Sequence, residues 1–286
     1  MASNIPGNIR DLPKDIYALL ESPGSITDKD ADDLGKSIAS VVRASLVDQS
    51  KSGLRMSNYG SPCRRQLWYK VNKPELGEKL DGKTLSKFIY GHVIEALILW
   101  YAKLTKKHTI EGEQDTLEYE GILGHRDAII DGMTADVKSA NSRGMGKFRD
   151  HTLEHDDPFG YLDQLSLYSV AGREDDRVKV KKQAAFIAVD KENGDIVVDV
   201  YKTKDITQQD VLEVKQVLAS PEPPPRAFVS QADGKSGNES IPFQCTYCQY
   251  KHTCWPGLRG FAYSTGIRWL TKVVRQPDVP EVHKET

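Results

Sequence analysis

Apolar residues recur every three or four positions in several stretches of the chain, a spacing that predicts amphipathic helices. The predicted helices lie at about 28–47, 85–106, 158–171 and 207–218. A shorter helix is expected through Cys63 and Tyr69, because Ser61-Pro62 is a suitable cap and first turn. The helices leave two intervening regions for strands.

The hydrophobic period changes to that of strands from about His108 onward. A compact hairpin is predicted where Asp131-Gly132 separates the apolar segments 128–130 and 133–135. A second hairpin is expected from 184–190 and 195–201. Strands and helices that follow one another in this way predict an α/β fold with a central mixed sheet.

Composition changes this picture little. The chain has 286 residues, of which 38% are hydrophobic and 28% charged, as in an ordinary soluble globular protein. A formal net charge of -2 argues against a generic polyanion-coating protein, but it leaves open an enzyme that acts on nucleic acid. No apolar run approaches a membrane span and the start does not resemble a signal peptide, so a cytoplasmic protein with no membrane partner is expected.

The predicted hairpin brings charged residues together. Counting outward from its turn places Asp127 opposite Asp136, with Cβ atoms about 5 Å apart. Strand alternation puts Lys138 on the same face as Asp136. Two such carboxylates would bind Mg²⁺ or Mn²⁺, and the lysine would stabilise charge during phosphodiester hydrolysis. An exposed hairpin with ordinary surface charges is the alternative that this geometry leaves open.

Four short segments each occur once: GHVIE at 91–95, GHRD at 124–127, ADVKS at 135–139 and QLSLY at 164–168. Their order and separation resemble the motifs of the RecB-like branch of the PD-(D/E)xK nucleases. The resemblance implies a restriction-endonuclease-like core and DNA cleavage, most simply by an exonuclease that acts on ends or single strands. The implied catalytic residues are Asp127, Asp136, Lys138, Gln164 and Tyr168, and the implied positions that bind Mg²⁺ or Mn²⁺ are His92, Asp127, Asp136 and Val137. One departure is Asp136, where many relatives carry Glu.

The chain contains four cysteines, and their spacing is typical of a four-thiolate metal site. Three of them crowd together at the C-terminal end, and the fourth lies far upstream: Cys245, Cys248, Cys254 and Cys63. Spacing alone fits zinc as well as iron and sulfur. The segment SPCRRQLWY at 61–69 and the downstream cysteine group are similar to those of iron-sulfur RecB-like nucleases, which include CRISPR-associated exonucleases. That resemblance implies a [4Fe-4S] cluster.

The expected organisation has four parts: a helical N-terminal region at 1–83, a nuclease core at 84–220, a cysteine segment at 221–275 and a loose tail at 276–286. The N-terminal helices and the cysteine segment should form an iron-sulfur cap. No Gly-x4-Gly-Lys phosphate loop occurs, which argues against a helicase motor.

DNA is the expected partner, with recombination, replication or CRISPR proteins as further candidates in a bacterial, archaeal or phage-infected cell. Four basic residues are candidates for contacts with DNA phosphates, although each could equally lie on a solvated face: Arg64, Arg65, Arg143 and Lys147. The competing function is a non-catalytic DNA-binding or adaptor protein on the same scaffold, with zinc in the four-cysteine site.

Overall fold

The computed structural model describes residues 7–22, 24–46 and 53–282. Within them, no helix is long and apolar enough to cross a membrane. The α-helices are α1 (Leu12–Leu20), α2 (Asp28–Leu46), α3 (Met56–Tyr59), α4 (Arg64–Asn72), α5 (Gly82–Leu104), α6 (Ser142–Arg149), α7 (Tyr161–Ala171), α8 (Gln208–Ala219), α9 (Phe243–Thr246) and α10 (Lys251–Cys254). The predicted long helices are therefore present with small shifts of their ends; Val47, the last residue predicted for the first of them, lies outside the described residues.

The strands form two larger sheets and one separate hairpin. The first sheet has the order β1-β4-β5-β6-β7, the second the order β12-β10-β11-β9-β8, and β2 pairs only with β3. The strands are β1 (Ile110–Glu111), β2 (Thr116–Tyr119), β3 (Ile122–His125), β4 (Ala128–Ile130), β5 (Met133–Ala140), β6 (Val180–Asp190), β7 (Ile196–Lys202), β8 (Gln231–Asp233), β9 (Asn238–Ser240), β10 (Arg259–Tyr263), β11 (Gly266–Lys272) and β12 (Glu281–Val282).

Two compact units make up the chain. The first is drawn from Met1–Gly60 and Asp81–Val211, and the second from Ser61–Leu80 and Leu212–Thr286. This division differs from the boundaries expected at 83/84 and 220/221. The reason is that α1 and α2 pack against α5, with Leu12 and Ile16 fully buried in the same core as Ile98. Of the N-terminal region, only the part around α4 belongs to the unit that carries the cysteine segment.

The C-terminal tail also differs from expectation. Residues 276–286 were expected to be loose, but β12 pairs antiparallel with β10. Arg259 holds this pairing, because its guanidinium donates to both carboxylate oxygens of Glu281 at 2.7 and 2.6 Å. A bidentate pair of this kind fixes both distance and orientation. Residues 283–286 lie outside the described part of the chain.

The first sheet is mixed and is flanked by helices, which confirms the α/β prediction at this level. β5 and β6 run parallel, whereas the other neighbours are antiparallel. One face packs on α1 and α5, and the other is covered by α6 and α7 through Met145, Phe148 and Leu165. Asp136 is level with Phe186 of β6 and shares its face, so the charged positions of β5 project toward α6 and α7.

The β4–β5 turn has the geometry predicted for Asp131-Gly132. Both residues have positive φ, 50° and 76°, as a type I′ turn requires. The register pairs Ile130 with Met133 and Ala128 with Ala135, as counting from the turn predicts. Asp131 also accepts from Thr109 N at 3.0 Å and bonds His108 Nδ1 at 2.7 Å. Burial by itself would lower the pKa of His108, but the bond to Asp131 and the charges of Asp131 and Asp15 raise it overall.

α7 begins at a close contact between two glycines. Gly160 lies immediately before the helix with φ +73°, and a Cβ added there would be 1.7 Å from the carbonyl oxygen of Gly60. No side chain fits in that space. The contact fixes where α7 begins, and therefore where its Gln164 and Tyr168 point.

We expect Gly160→Ala to destabilise the first unit strongly, because it adds a backbone clash to the strain of positive φ. Gly194→Ala is the matched control, since Gly194 has φ +81° but nothing within 4 Å of an added Cβ. Strain alone should cost about 1–2 kcal/mol, and overpacking about 1–3 kcal/mol more. Thermal unfolding should show a clearly larger fall in Tm for Gly160→Ala; equal falls would mean that the glycine contact is not a constraint.

Candidate active site and cysteine cluster

Asp127 and Asp136 lie together at one end of the β4–β5 hairpin. Asp136 is in β5 and only 3% exposed, whereas Asp127 immediately precedes β4. Asp127 therefore lies outside the ladder, and its Oδ2 accepts from Val137 N at 2.7 Å. Burial raises the pKa of Asp127 well above its usual range, and the charges of Asp136 and Glu95 raise it further. The hairpin thus brings the two aspartates close together, as the sequence predicted.

Lys138 joins the carboxylates, also as predicted. Its Nζ lies 2.6 Å from Asp136 Oδ2 and 4.9 Å from the centre of the Tyr161 ring. Burial alone would lower the pKa of Lys138, but Asp136 and Asp127 raise it above its usual value. The lysine therefore stays protonated throughout the physiological pH range. Its single positive charge faces two acidic side chains, those of Asp136 and Asp127.

α7 contributes the polar residues predicted from the QLSLY segment. Gln164 Nε2 donates to Asp136 Oδ1 at 3.3 Å. Tyr168 is 4% exposed one turn further along, and burial, followed by the charges of Asp136 and Asp127, raises its pKa. Tyr161 was not singled out from the sequence. It lies three residues before Gln164, so helical periodicity could have placed it on the same face.

His92 lies beside Glu95 of the same helix. Its Nδ1 lies 3.8 Å from Glu95 Oε2, and its side chain remains 55% exposed. The nearby Glu95 carboxylate raises the pKa of His92. Glu95 Oε1 in turn accepts from Gln114 Nε2 at 2.5 Å. The α5 side chain whose charge acts on Asp127 is that of Glu95.

The acidic cluster fits a hard divalent cation by its chemistry. Asp136 Oδ2 is buried and makes no hydrogen bond of regular geometry, although Lys138 lies beside it. Carboxylate oxygens are the ligands that Mg²⁺ and Mn²⁺ prefer. The arrangement is not that of a ligand set: in the described ranges, no three His, Cys, Asp or Glu side chains are grouped so that they could hold a metal ion. Here the acidic side chains turn instead to protein donors, namely Val137 N, Gln164, Gln114 and Lys138.

The four cysteines all lie in the second unit and are half-buried. Burial raises the pKa of Cys245 to about 11 and that of Cys248 to about 12. The other cysteines, Cys63 included, add to both shifts, so the upstream cysteine is close to the C-terminal three. Folding therefore brings Cys63 near cysteines that lie far from it in the sequence. The sulfurs, like the carboxylates, are nevertheless not grouped as a metal-ligand set.

Nitrogen donors surround these sulfurs. Gln66 N donates to Cys63 Sγ and Tyr250 N to Cys248 Sγ, each at 3.4 Å. Trp255 Nε1 is buried without a regular hydrogen bond and lies beside Cys245. These donors favour the thiolate form, but burial outweighs them at Cys245 and Cys248. By the chemistry of its ligands alone, a set of four cysteines would suit zinc and iron-sulfur equally.

The four basic candidates for DNA contact have different surroundings. Arg143 is exposed on α6, and Arg64 is half-buried on α4. Lys147 pairs with Asp156 Oδ2 at 2.7 Å. Arg65 donates to the carbonyl of Pro224 at 2.7 Å. Contacts of these four residues with DNA stay predictions.

Comparison with known proteins adds little. No family model matches the chain, and no curated protein is similar to it. Among solved structures, the crystal structure of a protein designated SSO0001 matches at 13% identity, covering 77% of this chain and 93% of that one, with a TM-score of 0.39. A likeness of this strength carries no argument about function.

We expect Asp127→Asn to raise the Tm of the metal-free protein, because it removes one of several like charges while an amide oxygen can still accept from Val137 N. A gain of about 1 kcal/mol would raise Tm by about 2–4 °C in a domain of this size. Thermal unfolding with EDTA, and then with Mn²⁺, measures this. Wild type should gain stability with Mn²⁺, and the variant should not.

The control is Asp190→Asn. Backbone donation from Glu192, together with Ser142, holds the pKa of Asp190 below its usual value, so its ionised form is stabilising. This variant should be less stable than wild type and should keep the Mn²⁺ response. A fall in Tm for Asp127→Asn in EDTA would contradict the idea of an acidic cluster that needs a cation.

Proposed function

We propose that this chain is a metal-dependent DNA nuclease of the RecB-like PD-(D/E)xK class. One observation carries the proposal: Asp127, Lys138 and Gln164 lie around the buried carboxylate of Asp136. The motif resemblance assigns all four residues to catalysis. Buried carboxylates with a raised pKa beside a charged lysine are frequent at functional sites.

Asp127 and Asp136 would hold a Mg²⁺ or Mn²⁺ ion, with the Val137 backbone, His92 and Glu95 as further candidates for direct or indirect support. A divalent cation in such a site polarises the phosphodiester and lowers the pKa of a water molecule. Gln164 fixes the rotamer of Asp136 by donating to its Oδ1. Glu95 keeps His92 oriented from α5.

Lys138 acts on the phosphate. It carries a positive charge at neutral pH, because Asp136 and Asp127 stabilise its protonated form. Held against Asp136 and over the Tyr161 ring, the ammonium group is placed to stabilise negative charge that develops on the phosphorus oxygens. Tyr168 and Tyr161 exclude water from this side of the site. They also limit the movement of the Lys138 and Asp136 side chains.

The four cysteines would hold a [4Fe-4S] cluster that acts as a staple. Cys63 precedes the nuclease core and the other three follow it, so a cluster on all four closes a loop of roughly 180 residues. Ligation of this kind contributes directly to folding, and long loops gain the most from closure. The proposed cluster would therefore hold the second unit together across a long separation in sequence.

The proposed activity is exonucleolytic, on DNA ends or single strands, in a bacterial, archaeal or phage-infected cell. Recombination, replication or CRISPR proteins are the partners that such an activity would suit. The basis for this detail is the motif resemblance. A non-catalytic DNA-binding protein with zinc on its cysteines is the competing outcome in the tests below.

Purified protein should degrade labelled DNA with Mg²⁺ or Mn²⁺ and lose this activity in EDTA. Asp136→Ala and Lys138→Ala should each lower the rate at least about 100-fold, because each removes a group that stabilises charge at the reacting phosphate. Lys181→Ala, an exposed lysine of β6, is the control and should cut at the wild-type rate.

Single- and double-stranded substrates labelled at either end would show polarity in the same assay. If wild type, Asp136→Ala and Lys138→Ala all bind DNA and none cuts it, the protein is a binding module and the enzyme proposal is wrong.

The isolated protein should be brown and contain iron together with acid-labile sulfide. Cys248→Ser should lose most of both and have a lower Tm, since the thiolate and its share of the loop closure are removed. Metal analysis, visible absorbance and thermal unfolding measure these changes. A colourless protein with one zinc per chain would instead support the zinc alternative.

A further inference from the structure

A cavity in the second unit is lined by two arginines whose hydrogen bonds go to neutral groups. Its volume is about 480 Å³, within the range of roughly 300–1,000 Å³ that is usual for small-molecule sites. The cavity is lined by Arg65, Arg226, Phe228, Val229, Ser230 and Trp255. We propose that it binds one nucleotide unit of a single DNA strand, with the phosphate on the arginines and the base on the apolar side chains.

The hydrogen bonds of the two arginines go to neutral acceptors. Arg65 donates to the carbonyl of Pro224 and, at 3.2 Å, to the hydroxyl of Tyr69. Its Nε is buried without a partner. Arg226 donates twice to the carbonyl of Cys254, at 2.9 and 2.6 Å. In the part of the chain that the structure describes, neither guanidinium forms an ion pair with a carboxylate.

Other arginines of the chain are arranged differently. Arg126, Arg177 and Arg259 each pair with one or more carboxylates at 2.5 to 2.9 Å. Glu239, an acid in contact with the lining residue Ser230, accepts from Ser230 Oγ and pairs with Lys272 at 3.6 Å. Two guanidinium groups held rigidly without a counter-charge attract an anion, and Arg is well suited to phosphate.

Aromatic and apolar side chains make the rest of the cavity. Arg226 lies over the Trp255 ring, with its Cζ 4.3 Å from the ring centre. Phe228 and Val229 lie beside it, and Val229 is 77% exposed at the surface. Sites for single strands combine positive charge along the backbone with apolar or aromatic surfaces for the bases. Free phosphate would satisfy the arginines but would leave this apolar surface unused.

Charge compensation of the proposed iron-sulfur cluster is the competing role for these arginines. Arg226 is close enough to lower the pKa of Cys245, against the larger effect of burial. A substitution that leaves both arginines in place separates the two roles. Val229→Asp does so, because it puts a carboxylate at the exposed side of the cavity, where it should occupy the arginines and repel phosphate.

The inference rests on the proposed DNA-cleaving function, and binding can be measured apart from cleavage. Fluorescence anisotropy of a labelled single-stranded oligonucleotide, without added divalent metal, gives Kd for the purified metal-containing protein. Val229→Asp should raise Kd about tenfold and reduce its salt dependence, because fewer phosphate contacts release fewer counterions. A deoxynucleoside monophosphate should compete with the oligonucleotide in wild type more effectively than inorganic phosphate does.

Two controls make the result specific. Val229→Asn has a similar shape without charge, and Val274→Asp makes the same charge change at a valine of the second unit that is 63% exposed and outside the cavity lining. Both should bind within about twofold of wild type. Metal content should be the same in all four proteins.

The proposal is overturned if Val229→Asp binds like wild type, if Val274→Asp weakens binding equally, or if wild type does not bind single strands. It is also overturned if Val229→Asp loses its metal and Arg226→Lys, made in parallel, binds DNA normally. Cleavage by wild type with normal binding by Val229→Asp would leave the nuclease proposal intact. Weakened binding by Val229→Asp without any cleavage by wild type would support the nucleotide site and contradict the nuclease proposal.

Discussion

Burial of like charges at the end of the β4–β5 hairpin is the constraint on which the rest of the first unit depends. Asp136 is almost fully buried with Asp127 beside it, and water cannot screen their repulsion as it would at the surface. Lys138 is paired with Asp136, and Gln164 supplies a hydrogen bond. Every element around the site can be understood as holding these partners in place.

The scaffold is correspondingly rigid. The type I′ turn at Asp131-Gly132 sets the register that brings the aspartates together. β6 pairs in parallel with the other edge of β5. The glycine contact at Gly160 fixes the start of α7, which carries Gln164. Apolar packing on both faces of the sheet supplies the stability that a repulsive site lowers.

The second unit also holds partly buried polar groups, namely its cysteines and two arginines. Four half-buried cysteines lie in this unit, and burial raises the pKa of Cys245 and Cys248, so that an ionised sulfur there would need a compensating partner such as a metal ion. Arg65 and Arg226 are held by carbonyl oxygens of the same unit, so their charges remain available to an anion. In both units, polar groups that the fold leaves incompletely satisfied are the ones that suggest a ligand.

The sequence by itself determined the local features. Helical and strand periods depend on neighbours a few residues apart, so the main helices, the hairpin register and the shared position of Asp127, Asp136 and Lys138 could be predicted. The position of Gln164 beside them followed from the motif resemblance. These predictions succeeded because turn geometry and strand alternation act over fewer than a dozen residues.

Only the tertiary structure decided which distant segments meet. It put α1 and α2 into the first unit because their apolar faces pack on α5, and it paired β12 with β10 where a loose tail was expected. It brought Glu95 near enough for its charge to raise the pKa of Asp127, and it placed Tyr161 beneath Lys138. It also placed Arg65 and Arg226 together in one cavity, where among the described residues neither has an acidic partner. Such outcomes depend on contacts between residues far apart in sequence, which no local pattern encodes.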